Sequence, residues 1–395
     1  MPVLEKLWQG IEQSLLMAYQ VWWALVIGFA ISGIVQAWVP RARIESALSG
    51  EGFGPIAKAT GLGAASSSCS YAAIAIARSL FAKGASAVTA LAFQFASTNL
   101  VWELGLVLWV LIGWQFTLAE FVGGIVLIAL MSLLLRRFVS PALERQARRH
   151  AEDAAGESHE HHDHDHGQDA GAETRPLPES IRSTDAWREV AVKFRMDWLM
   201  VWKEIVIGFF LAGFIGLLGD DFFNVLFITH APPLLRTIEN VIVGPLIAVL
   251  SFVCSVGNVP LAAVLWSGGI GFGGVVAFLF ADLIIVPIVL AYRKFYGTEF
   301  ALRITALMLV TIIVAALIVD GVFGFVGLVP TGPRPSRANV FGSVGLDYKL
   351  VLDVIATGIF LTLLWLSRDV SGGGHCQDNL DEQGQERPDS FPGGV

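Results

Sequence analysis

The sequence predicts an all-α polytopic membrane protein of two inverted repeats. Each repeat carries a hairpin, re-entrant or made of broken helices, with a Cys-Ser step. Three observations predict this: long charge-free runs, an internal repeat, and opposite charges flanking its two copies. Leu15–Pro40, Gly84–Trp102, Leu104–Ala119, Phe121–Leu135, Ile205–Gly219, Ile304–Val319 and Val354–Ser367 contain no Asp, Glu, Lys or Arg, and Asn240–Ala281 runs 42 residues without one. A helix crosses the hydrocarbon core with about 20 apolar residues. A composition 54% hydrophobic and 15% charged agrees.

The repeat is read by adding 185 to the residue number. Ser66, Cys69, Ser70, Ala77, Leu80, Gly84, Ala92, Phe93, Phe95 and Ala96 return as Ser251, Cys254, Ser255, Ala262, Leu265, Gly269, Ala277, Phe278, Phe280 and Ala281. Upstream, at an offset of 180, Val26-Ile27-Gly28-Phe29 and Gly33 return as Val206-Ile207-Gly208-Phe209 and Gly213. Transporters are often built from such units, with the site between them.

Taken in order, residues 1–139 form the first membrane repeat. Residues 140–198 read as a cytoplasmic, His-rich, disordered linker, because their composition buries no core. Residues 199–367 form the second repeat plus an extra C-terminal span, and 368–395 a polar tail. The first apolar run is too long, and lacks the basic start, for a cleavable signal peptide. Spans are expected at 15–38, 85–113, 116–137, 199–219, 270–292, 302–327 and 347–367.

Arg136, Arg137, Arg145, Arg148 and Arg149 before the linker's middle, and Arg188, Lys193, Arg195 and Lys203 after it, place the linker in the cytoplasm. The C-terminus follows to the same side. The first span then ends near Arg41 and Arg43, inside, and its partner near Asp220-Asp221, outside. Arg78 and Lys83 flank the first Cys-Ser segment, whereas Trp266-Ser267-Gly268-Gly269 carries no charge. Opposite flanks are what inversion requires. They leave open whether each Cys-Ser segment is a re-entrant hairpin or a pair of spans.

Ala64-Ala65-Ser66-Ser67-Ser68-Cys69-Ser70 and Cys254-Ser255-Val256-Gly257-Asn258-Val259-Pro260 read as helix breaks inside the bilayer, where protein or a water cavity must cover the freed backbone. Hairpins entering from opposite sides would bring both Cys-Ser steps to the midplane. A thiolate suits soft species such as Cu(I) or trivalent arsenic and antimony. Either cysteine alone is equally a small packing residue. The expected substrate path comprises Cys69, Ser70, Gln94, Ser97, Asn99, Cys254, Ser255, Asn258 and Pro260. Asn258 and Pro260 are expected to shape the second break.

Asp282 stands twelve positions into an apolar span, where an ionisable residue is expensive and usually functional. It is the leading candidate for a coupling residue. Glu103 is a weaker one, since it could reach the outer interface. The tract holding His159, His161, His162, His164 and His166 offers weak metal-ligand candidates without fixed spacing, and solubility explains it as well. A net charge of −8 gives no nucleic-acid signal, and three cysteines make no disulfide framework.

Cys69-Ser70, Lys83-Gly84-Ala85-Ser86 and Ala90-Leu91-Ala92-Phe93, echoed by Cys254-Ser255, Gly268-Gly269 and Ala277-Phe278, resemble the ArsP-type predicted permeases. The resemblance covers about 20–139 and 199–365, not the linker. It implies a bacterial-type inner-membrane permease exporting trivalent organoarsenicals, with Cys69 and Cys254 in the substrate path. The proline that often follows the Cys-Ser step in that family is absent from unit one, where Ala75 stands opposite Pro260.

The function expected is secondary, proton-coupled efflux of a small soft or hydrophobic solute, such as a trivalent (organo)arsenical or other metalloid or metal species. No cofactor and no enzymatic activity are expected. The partners are the solute and the lipid bilayer, with a homo-oligomer left open. The alternatives are a passive channel, which needs no titrating carboxylate, and a membrane redox or thiol module. Neither a base–nucleophile pair nor a CxxC motif supports the last.

Overall fold

The structure, a computed structural model, describes residues 2–38, 52–66, 70–82, 84–159, 183–218, 220–228, 232–251, 255–335, 340 and 348–368. The described residues form helices joined by turns. The first half contains α1 (Pro2–Trp38), α2 (Phe53–Ser66), α3 (Ser70–Ala82), α4 (Ala87–Asn99), α5 (Trp102–Leu111), α6 (Trp114–Phe138) and α7 (Pro141–His159). The second contains α8 (Thr184–Ile215), α9 (Asp220–Leu226), α10 (Pro233–Ser251), α11 (Ser255–Ser267) and α12 (Phe272–Phe280). A 3₁₀ turn (Ala281–Ile284) follows, then α13 (Val286–Tyr296), α14 (Thr298–Val326) and α15 (Tyr348–Arg368).

The 185-residue offset reappears in the elements. It carries the end of α2 onto the end of α10, and both ends of α3 and α4 onto α11 and the α12–3₁₀ segment. The turns match bond for bond. Gly84 N–H donates to Phe81 O at 3.2 Å and Ala85 N–H to Leu80 O at 3.0 Å. Gly269 N–H donates to Trp266 O at 3.3 Å and Ile270 N–H to Leu265 O at 3.2 Å. These paired bonds are a Schellman helix stop, which needs a left-handed residue. Gly84 (φ 102°) and Gly269 (φ 116°) supply it.

An arginine closes each turn. Arg148, from α7, donates to Phe81 O and, at 2.9 Å, to Ala85 O, with its guanidinium 4.4 Å from the Phe81 ring centre. Arg334 donates to Trp266 O at 3.0 Å and lies 4.2 Å from the Trp266 ring centre. Burial, and secondarily Arg236, lower the Arg334 pKa to about 10, so it is still a cation at neutral pH. An acid then receives the next helix. Glu144 accepts from Ala87 N–H at 2.9 Å, and Asp320 from Gly273 N–H at 2.9 Å. Carboxylates are favourable at these helix starts.

Corresponding helices pack antiparallel. Gly33 of α1 meets Val190 and Phe194 of α8, while Gly213 of α8 meets Gly10 and Ser14 of α1. Along α6, Gly123, Met131 and Phe138 meet Val319, Thr311 and Arg303 of α14 in descending order. Glycine lets such backbones approach closely.

Among the described residues, seven helical stretches are long and apolar enough to cross a membrane: Leu4–Ile31, Ala87–Leu111, Trp114–Phe138, Pro233–Ser251, Phe272–Tyr296, Thr298–Val326 and Lys349–Arg368. Of the expected span 199–219, the side chains of 200, 201 and 204 and all of 219 lie outside the described residues. That span is the end of α8, whose shorter apolar helix covers Ile205–Ile215. Pro233–Ser251 lies in the segment left open between a hairpin and a pair of spans, and it is long and apolar enough to span. Lys203 and Glu204 shorten the apolar part of the one; beyond Glu239 nothing charged interrupts the other.

Two further expectations are corrected. The linker was expected to lack structure, yet 141–159 is helical and 184–198 belongs to α8. Ser140 caps α7 by accepting from Leu143 N–H at 3.2 Å, with Pro141 first in the helix. Leu143, Ala147 and Ala151, four apart, make a buried stripe against α3 and α13. The second break was expected across 253–260, yet α11 starts at Ser255. Asn258 and Pro260 therefore lie inside its first turns.

Candidate functional site

The site is built where two apolar stretches lose their helix. Ala87–Leu111 breaks between α4 and α5, at Leu100 and Val101. Phe272–Tyr296 breaks at the matching place, through Ala281–Ile284 and extended Ile285 (φ −62°, ψ 149°), before Pro287 allows a new helix start. Asp282 therefore stands in a tight turn, not in the continuous span expected. Ala281 to Ile285 are buried, which is the condition for broken backbone at membrane depth.

Asp282 is 0% exposed. Its Oδ2 accepts from Ser70 Oγ at 3.2 Å and from Ser255 Oγ. Ser70 and Ser255 are the first described residues of α3 and α11, so two repeat-related helices converge on one carboxylate oxygen. Oδ1 has no hydrogen-bond partner, and the backbone amides of Asp282 and Leu283 act favourably on the carboxylate. Cys69 and Cys254 directly precede the two serines in sequence, and both lie outside the described residues.

The polar residues of α4 are all buried. Gln94 Nε2 donates to Tyr292 Oη at 2.5 Å, and its Oε1 is unbonded. Tyr292 is within electrostatic reach of Asp282. Ser97 turns back onto Gln94 O at 3.0 Å. Asn99 donates to Phe95 O at 3.2 Å and Thr98 Oγ1 at 3.0 Å, leaving Oδ1 unbonded. On α11, Asn258 accepts from Ser251 Oγ at 3.4 Å, and its Nδ2 is unbonded. Pro260 is buried in the same helix.

Glu103 is placed elsewhere. It is 6% exposed, seated against Gly28 of α1 and within electrostatic reach of Asp197 of α8, so it does not reach for the interface. His159 ends α7, and His161, His162, His164 and His166 lie outside the described residues. No group of three His, Cys, Asp or Glu able to hold a metal occurs among the described residues.

Two residues at this site were not singled out from sequence. Tyr292 looked like an ordinary aromatic of a span. Glu120 is buried and within electrostatic reach of Asp282. Its signal was present: it alone separates the charge-free runs Leu104–Ala119 and Phe121–Leu135.

Comparison with known proteins agrees with this picture. Residues 10–321 match the ArsP_1 family, described as "Predicted permease". A Mycobacterium tuberculosis protein named "Putative permease Rv2963" is 40% identical over 341 residues, covering 85% of this chain and 81% of that protein. No solved structure matches. With the match spanning most of both halves, the chain belongs to this family of predicted permeases.

Proposed function

We propose that this permease is a secondary transporter of the bacterial inner membrane. It exports a small soft or hydrophobic solute, such as a trivalent (organo)arsenical, in exchange for protons carried by Asp282. The observation that carries this reading is the convergence of Ser70 and Ser255 on Asp282 Oδ2. It joins the second helix of each Cys-Ser segment to one acid. A carboxylate buried in a span needs a proton, a cation or a solute donor beside it. Exchanging one of these for another would couple proton and solute movement. Cys69 and Cys254, one residue from the serines, supply soft ligands along the same path.

The two units are read as inverted, with the linker in the cytoplasm. The antiparallel packing of α1 on α8 and of α6 on α14 supports inversion, and the flanking charges support the orientation. Transport is favoured over catalysis because, among the described residues, the site holds bonded hydroxyls and an acid and no nucleophile poised by a base.

The test is uptake of methylarsenite into inside-out vesicles containing the full chain. Accumulation that rises when the lumen is acidified supports proton-coupled efflux. Uptake that only equilibrates, whatever the gradient, supports a channel instead.

A further inference from the structure

Glu120 is the most isolated acid of the described structure. It is 1% exposed, on α6, seven residues into an apolar stretch, and neither carboxyl oxygen has a hydrogen-bond partner. Buried polar atoms nearly always find partners, so two orphans on one side chain call for a missing species.

The location follows from its helix face. Gly123 and Gly124, three and four residues on, share that face with Glu120. Gly123 packs on Phe280, two residues before Asp282, and Gly124 packs on Leu100 and Asn99 at the end of α4. Glu120 thus belongs to the interface between the two helix breaks. At the two broken stretches that Gly123 and Gly124 pack on, Asp282 Oδ1 and Asn99 Oδ1 are likewise unbonded acceptors. Unpaired carboxyl oxygens are completed by a proton, a cation or a hydrogen-bond donor, not by an anion.

Few other charges act here. α4 and α12 carry no titratable side chain, and the one on α5, Glu103, faces α1. On α14, Glu299 pairs with Arg303 at one end, and Asp320 holds the Gly273 amide at the other. On α10, Glu239 is bonded to Asn240, while Arg236 lies near Arg334. On α13, Arg293 and Lys294 are exposed and Tyr292 is held by Gln94. On α6 itself, Arg136 and Arg137 lie in the last turn. Among the described residues, the acid in electrostatic reach is Asp282.

We propose that Glu120 is a second proton-carrying residue of the transport cycle, working with Asp282 as a pair of which at most one is charged at a time. The inference rests on the proton-coupled reading above. Two acids allow a proton delivered to one break to be released from the other. Like charges held in so apolar a place would repel too strongly for both to ionise.

Two measurements test it. Carbodiimide labels protonated carboxyl groups in apolar surroundings, and mass spectrometry locates the label in the purified full chain. Wild type is expected to be labelled at Glu120, with a pH profile that shifts in Asp282→Asn. No label at Glu120 at any pH, or an unshifted profile, overturns the proposal, and neither result depends on transport. In inside-out vesicles with methylarsenite, Glu120→Gln is expected to lose the response to an acid lumen and Glu120→Asp to retain it. If Glu120→Gln responds as wild type while Asp282→Asn does not, the pair fails and Asp282 stands as sole carrier. If wild type itself ignores the gradient, the coupled reading fails and this inference with it.

Discussion

Ser70 and Ser255 stand 185 positions apart, and their hydroxyls bond the same oxygen of Asp282. Each is the serine of a Cys-Ser step, so the carboxylate ties the two halves together at their repeat-related points. Each bond contributes about 1.5–3 kcal/mol, as expected for a hydroxyl on a charged acceptor. Ser70→Ala,Ser255→Ala should fold with lower thermal stability and lose most gradient-driven transport. The single variants should lose less than half as much. Melting of the purified protein and vesicle uptake check this.

Cys69→Ser and Cys254→Ser should impair export of thiol-binding metalloids with little effect on folding. Sulfur binds soft ions far better than a hydroxyl of similar volume. Cells carrying the double variant should become as sensitive to methylarsenite as cells without the protein, at unchanged membrane levels. Full resistance would return both cysteines to packing.

The two arginine clasps should matter for stability more than for chemistry. Arg148→Ala removes bonds to Phe81 O and Ala85 O and the contact with the Phe81 ring. Arg334→Ala removes the equivalents at Trp266. Each should cost about 1–3 kcal/mol, since partly buried carbonyls lose a charged donor. The effects should add, because the sites share no partner. Denaturation of single and double variants tests both statements.

Glycine positions separate packing from conformation. A Cβ on Gly208 would overlap the Gly257 carbonyl, where α8 crosses α11, whereas one on Gly321 meets nothing within 4 Å. Gly208→Val should therefore cost at least about 3 kcal/mol and reduce folded yield sharply. Gly321→Ala should be neutral or slightly stabilising. Fluorescence-detected size exclusion of the two variants gives the comparison.

Much of this architecture is legible in the sequence. The offset of 185 paired Gly84 with Gly269, and the structure places both at matching helix stops. Ser70, Ser255 and Asp282 were each recognisable from position and type. Their meeting was not, because it depends on how the halves dock. The breaks at 100–101 and 281–285 were hidden by apolar composition, although Pro287 and the cluster Ser97-Thr98-Asn99 marked them. Glu120 was overlooked because a single acid between two clean runs reads as a boundary rather than as a buried group. α7 was misjudged because averaged polarity concealed the stripe Leu143, Ala147 and Ala151.

The central claim, that Asp282 couples transport to protons, is tested most directly by Asp282→Asn in inside-out vesicles loaded with and surrounded by methylarsenite. The amide keeps the size and can still meet Ser70 and Ser255, but it carries no exchangeable acid proton. The account predicts that labelled solute still exchanges across the membrane while an acid lumen no longer drives net accumulation. Wild-type accumulation in Asp282→Asn under the same gradient would contradict it.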